Sequence, residues 1–308
     1  METAIILTRV AQYIAAATLF GTPLFLTYAR SSSATAQGAG LSWARPLAGG
    51  AAFVVLLGSG LYLCAQTAMM AGDAAAATDP EMLTGVLTDS AMGFAVLARL
   101  AAAVLALVTA AVLKPGRPLW LLLSGLGAVV LLSFAWNGHG AATEGAGGWI
   151  HLFADLLHLL AAGVWIGALV AFAVLLARPA QLEGPGAKAL HEALEGFSGV
   201  GSAVVTVIVA TGLVNTWFLV GPTHLAGLFS TAYGLLLLAK LAAFGGMVLL
   251  AARNRFAHTP VLGRALTAEA AQPSLQALRI SVALETVLGM AVLILVAILG
   301  MLEPVAAL

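Results

Sequence analysis

Residues 149–172, WIHLFADLLHLLAAGVWIGALVAF, form an apolar run long enough to cross a bilayer as a helix, yet three ionisable side chains sit in its first third. His151, Asp155 and His158 fall at i, i+4 and i+7, which puts them on one helical face. Ionisable groups inside a membrane span are costly, and they face a bundle interior or a wet cavity. Two imidazoles and a carboxylate on one stripe suit a metal ion, an axial haem ligand or a proton relay. The plainer reading is a buried polar cluster that only holds helices together.

The run is one of many. Of 308 residues, 61% are apolar and 8% charged, with a mean hydropathy of +1.04. Ordinary globular domains carry about 25% charged residues. The pattern predicts an all-α polytopic membrane bundle, a single transmembrane domain over residues 1–308. Eight spans are read, roughly at 4–29, 46–71, 89–113, 118–137, 149–177, 198–220, 229–252 and 279–302. The breakers fall between them: a Ser/Ala/Gly loop at 31–40, an acidic one at 73–89, a Lys-Pro-Gly-Arg-Pro turn at 114–118, a Gly-rich stretch at 137–148 and polar loops at 178–195 and 253–276. A net charge of zero gives no reason to expect nucleic acid. Cys64 stands alone, which excludes an intrachain disulfide and any CxxC motif. The start, METAIILTRV, lacks a basic n-region and a cleavage site, so the first span is expected to be retained. No Walker or phosphorylation-type motif is present, and the expectation is a membrane protein that is not an enzyme.

Lys and Arg predict the orientation, since they favour the cytoplasmic side. They occupy the odd-numbered loops: Arg30 and Arg45, Lys114 and Arg117, Arg178 and Lys188, then Arg253, Arg255 and Arg264. The even-numbered loops hold no Lys or Arg and carry Asp73, Asp79, Glu81, Glu144 and His224 instead. Both termini are therefore expected outside, with His151, Asp155 and His158 in the outer half of span 5.

Other candidates share that side. His139 lies in the Gly-rich loop just before span 5, where it can fold back over the helix end. Met69 and Met70 end span 2, Met92 opens span 3, and Cys64 lies in the outer half of span 2. These are candidate soft ligands, although each Met alone is ordinary apolar filler. Met301 falls on the same side, whereas Met247 is on the inner one. Three more charges lie inside spans: Arg99, Lys240 and Glu285. Lys240 and Glu285 are expected to neutralise each other across facing helices, or to serve an inner ion pathway. Arg99 is a possible partner for Asp155, and Arg9 is close enough to the outer end to snorkel. Gly163 and Gly167 form a G-x-x-x-G pattern that permits close helix approach, with Trp165 between them read as packing. His191 and His258 read as solvated loop residues.

Several segments together resemble the copper resistance protein D (CopD) family of bacterial inner-membrane proteins. They are Asn137-Gly138-His139-Gly140-Ala141, Asp155-Leu156-Leu157-His158 with Gly163-Val164-Trp165-Ile166-Gly167, Phe197-Ser198, Thr211-Gly212, Lys240 with Arg253-Asn254-Arg255, Leu284-Glu285, and Gly300 through Pro304. The family-like region runs over about 90–304, and the first three spans match in hydropathy rather than motif. Asn137 precedes Gly138-His139 where the family pattern has Ser. The resemblance implies an eight-span protein that moves copper between periplasm and cytoplasm, working with a small periplasmic copper-binding partner of the CopC type. It also implies His139, Asp155 and His158 as copper ligands. The residue types agree: imidazole suits Cu(I) and Cu(II), and thioether or thiol selects Cu(I), while histidine with carboxylate alone also suits zinc. Asp155 is equally placed to orient a histidine through its ring N–H. A handover or sensor protein without net transport, and a haem- or quinone-linked redox protein, are the alternatives. The haem reading needs histidines facing each other across spans, and no span interior other than span 5 holds one.

Overall fold

A computed structural model describes residues 2–29, 42–138, 143, 145–178, 184–267 and 271–307. Among these residues there is no strand. The long helices are α1 (Glu2–Tyr28), α2 (Ala44–Ala71), α3 (Ala91–Val112), α4 (Arg117–Leu132), α5 (Ala146–Leu176), α6 (Gly184–Leu219), α7 (Ala232–Arg253) and α8 (Gln272–Leu299). Among the described residues, eight helices are long and apolar enough to cross a membrane.

Local chemistry sets their ends. The Ser90 hydroxyl accepts from the N–H of Gly93 at 2.9 Å and starts α3, and Thr231 does the same for Gly234 at 3.0 Å in α7. Prolines occupy the first turns of α4 and α8, where a missing N–H costs nothing. Gly72, at φ 68°, closes α2 with its N–H returned to the carbonyl of Met69. Two loops hold more helix than their polarity suggested. α6 begins at Gly184, so most of the loop read at 178–195 is its first turns. The stretch after α7 continues as a π-helical turn, Asn254–His258, and a helix at Thr259–Thr267.

Helix α1 is the centre of the bundle, packed on α2, α4, α5 and α8. Missing side chains make this possible. A Cβ on Gly21 would come 2.0 Å from the carbonyl oxygen of Gly163, and one on Gly167 would come 2.3 Å from the Cα of Gly21. The G-x-x-x-G pattern of α5 is thus the seat of α1. Thr22 locks the contact by donating to the carbonyl of Gly167 at 2.9 Å, and Ser124 of α4 donates to the carbonyl of Phe20 at 3.0 Å.

The helices run alternately up and down. One end gathers the start of α1, the ends of α2 and α4, the start of α3 and the segment after α8. There Ile5, Tyr62 and Val96 pack with Met69, Met92 and Met301. At the opposite end Arg45 donates to the carbonyls of Ala110 and Ala111 at the C-terminus of α3, complementing its dipole.

Candidate metal site

The polar stripe of α5 is answered rung by rung by α6. His151 stacks flat on Phe218, with ring centroids 4.8 Å apart and an 8° interplanar angle. One turn on, Asp155 Oδ1 accepts from Asn215 Nδ2 at 3.3 Å. One turn further, His158 Nδ1 lies 2.9 Å from Thr211 Oγ1. The spacing i, i+4, i+7 on α5 meets i, i−3, i−7 on α6, as two antiparallel helices require.

Thr211 anchors the ring of His158. Its hydroxyl lies 2.6 Å from the carbonyl of Val207, and when its one hydrogen goes there it accepts from His158 Nδ1, which leaves Nε2 as the nitrogen for a metal. A neutral imidazole with an oriented ring and a free Nε2 is the form that binds a metal. Lys240 of α7 is near enough to interact electrostatically with both Asp155 and His158, and among the described residues it forms no contact ion pair.

His151 is 1% exposed, and its Nδ1 lies 2.7 Å from Thr143 Oγ1. His139, proposed to reach in from the preceding loop, lies outside the described residues. Among the described residues, no three His, Cys, Asp or Glu side chains converge closely enough to hold a metal ion.

The soft candidates form a separate group. Met69 and Met92 pack with Met301 around Tyr62, whose hydroxyl donates to the sulfur of Met92 at 3.8 Å. Met70 is 62% exposed and turned away, and Cys64 is half-buried on α2. The helices around Tyr62 are α1, α2 and α3, whereas His158 faces α6 and α7.

The remaining intramembrane charges find other partners than their positions suggested. Arg99 does not reach Asp155. It is fully buried and donates to Ser133 Oγ at 2.8 Å, Asn137 Oδ1 at 2.9 Å and Gln12 Oε1 at 3.2 Å, with its guanidinium 3.9 Å from the centroid of Phe134. Arg9 does not snorkel: it is 5% exposed and donates to the carbonyl of Asn137 at 2.9 Å. That carbonyl ends a helix, where cations are favoured. Lys240 and Glu285 do not pair. Glu285 Oε1 accepts from Trp165 Nε1 at 2.8 Å and Oε2 from Asn254 Nδ2 at 3.0 Å. Trp165 is therefore a hydrogen-bond donor as well as packing. His191, read as solvated, is tucked beside Gly263 and pairs with Glu195 at 3.5 Å.

Sequence reasoning passed over Thr211 and Asn215 as partners of the stripe. The signal was present: two polar residues one turn apart in span 6.

Comparison with known proteins bears on what such a site handles. A family model described as Copper resistance protein D-like, N-terminal domain, matches residues 1–149, and one described as Copper resistance protein D matches residues 191–299. Copper resistance protein D of Pseudomonas syringae pv. tomato is 40% identical over 303 residues, 96% of this chain and 95% of that protein. The chain belongs to the copper resistance protein D family. The likeness reaches the first three spans, where the motif reading found hydropathy alone. Copper transport protein CutJ of Bacillus subtilis (strain 168) is 33% identical over 123 residues, 40% of this chain and 22% of that protein. No solved structure matches. For a member of this family, the stripe of α5 is the natural place to look for copper, because it joins imidazole and carboxylate in the interior of the bundle.

Proposed function

We propose that the protein carries copper across the bacterial inner membrane, receiving it from the periplasmic side at His158 and Asp155. The observation that carries this reading is that His158 and Asp155, three residues apart on α5, are each held by a side chain of α6. Histidine and carboxylate accept copper, and an orienting hydrogen bond on the far ring nitrogen raises the basicity of the ligand. Two donors are an incomplete set, which His139 as a third and one further donor would complete. Lys240 opposite the carboxylate stands where the arriving cation displaces an internal one.

The Lys and Arg distribution supports both termini outside, hence an outward-facing stripe. A reporter fused after Leu308 is expected to be active only when it requires the periplasm. A small periplasmic copper protein of the CopC type is the expected donor. The deciding measurement is copper content of the purified protein together with uptake into proteoliposomes. Bound copper that depends on His158, with protein-dependent uptake, supports transport. Protein free of copper after loading would end the reading.

One observation favours a second reading, handover without net transport. The described residues offer no group of three His, Cys, Asp or Glu. A partner docked at the outer face would then supply the missing donor. Copper that binds only in the presence of such a partner, with no uptake, distinguishes this case.

A further inference from the structure

At the opposite half of the bundle, α5, α6, α7 and α8 enclose a cavity of about 280 Å³. Its walls include Trp165, Phe197 and Ser202, its floor Asn254 and Glu285, and its rim Arg255. The floor is short of positive charge. Glu285 is 3% exposed, and its carboxylate receives two neutral donors, the Trp165 indole and the Asn254 amide. Neither Arg255 nor Lys240 forms a contact ion pair with it. The Arg255 guanidinium is held against α6 instead, on the carbonyl of Ser198 at 3.2 Å and the hydroxyl of Ser202. Two further buried oxygens are unmatched among the described residues: Asn254 Oδ1, on a residue 8% exposed, and Ser281 Oγ, one turn from Glu285 on α8. A buried carboxylate without a cation is costly, as is a buried amide or hydroxyl oxygen without a donor, and one cation satisfies them together. Asn254 opens the π-helical turn, an irregularity that recurs at functional sites.

The cavity is continuous in register with the outer stripe. On α5, His158 and Trp165 are seven residues apart, two turns along one face. Along α7 and into the π-helical turn that follows it, Lys240, Met247 and Asn254 repeat the same interval. Met247 lies buried between the two levels, in the same cluster as Trp165, with its methyl against Gly289, one turn from Glu285. It places one soft thioether between an imidazole level and an oxygen level.

We propose that Glu285 and Asn254 form a second copper site, an inner station for copper that has left His158 and Asp155 and passed Met247. This rests on the copper reading above and adds the route to it. Oxygen donors hold copper loosely, and a conducted ion needs an exit site from which it can leave.

The experiment titrates copper into the purified full chain and reads the fluorescence of Trp165, isolated as the difference between wild type and Trp165→Phe. Glu285→Gln is the informative variant because it changes charge and little else. The Gln carbonyl still accepts from Trp165, and its amide nitrogen can donate to a flipped Asn254. Copper is expected to quench the Trp165 signal in wild type. In Glu285→Gln the half-quenching concentration should rise by about tenfold or more with the melting temperature unchanged. Met247→Leu, isosteric and remote from the hydrogen bonds, is expected to raise the half-point for Cu(I). Titrations of both variants that superpose on wild type, or a Trp165 signal that copper never alters, overturn the inner site. A His158→Ala protein that keeps its full copper stoichiometry while Trp165 still responds would instead remove the outer site and leave this one standing.

Discussion

Thr211 anchors the ring of His158: its hydroxyl lies 2.6 Å from the carbonyl of Val207 and 2.9 Å from His158 Nδ1. Two predictions separate ligand from support. His158→Ala should weaken copper binding by about tenfold or more, and Thr211→Val should weaken it by about tenfold through loss of ring orientation. Titration with a competing chelator checks both. A Thr211→Val protein with wild-type affinity would show that the ring needs no such anchor.

Lys240 faces Asp155, not Glu285. Neutralising either Asp155 or Lys240 alone leaves the other charge uncompensated, so the double change Asp155→Asn with Lys240→Met should be milder than the sum. The expected coupling is about 1 kcal/mol or more, whereas Lys240→Met with Glu285→Gln should be additive within about 0.5 kcal/mol. Unfolding in detergent measures both cycles. Coupling in the second and additivity in the first would reverse the assignment.

Arg99 ties α1, α3 and α4 by three hydrogen bonds to neutral acceptors while its face lies on Phe134. A lysine has the charge but neither the fork nor the plane. Arg99→Lys is therefore expected to destabilise the protein by about 3 kcal/mol. A melting temperature equal to wild type would mean that charge alone matters there.

Gly167 and Gly245 are both helical glycines, with opposite surroundings. A Cβ at Gly167 would meet the Cα of Gly21 at 2.3 Å, whereas one at Gly245 meets nothing within 4 Å. Gly167→Ala forces two backbones apart and should cost about 3 kcal/mol. Gly245→Ala should be neutral or stabilise by up to about 1 kcal/mol through helix propensity. Equal stabilities for the two variants would refute the close approach of α1 and α5.

The sequence by itself determined the helical class, the eight spans and the α5 stripe. Each follows from a local rule: a bilayer demands about 20 apolar residues per helix, and a helix repeats every 3.6 residues. The same rules found the Gly163 and Gly167 pattern, which the structure shows occupied by Gly21. What the chain alone left open was which buried group meets which. Lys240 and Glu285 were expected to pair across facing helices, but partnership depends on the depth of each residue and on the rotation of each helix about its axis, and one-dimensional spacing fixes neither. The tertiary structure turned Glu285 toward Trp165 and Asn254, turned Lys240 toward Asp155, and drew Arg99 to Asn137. It also supplied Thr211 and Asn215 as the supports of His158 and Asp155. In an apolar interior every polar group must find a partner, and packing decides which one is within reach.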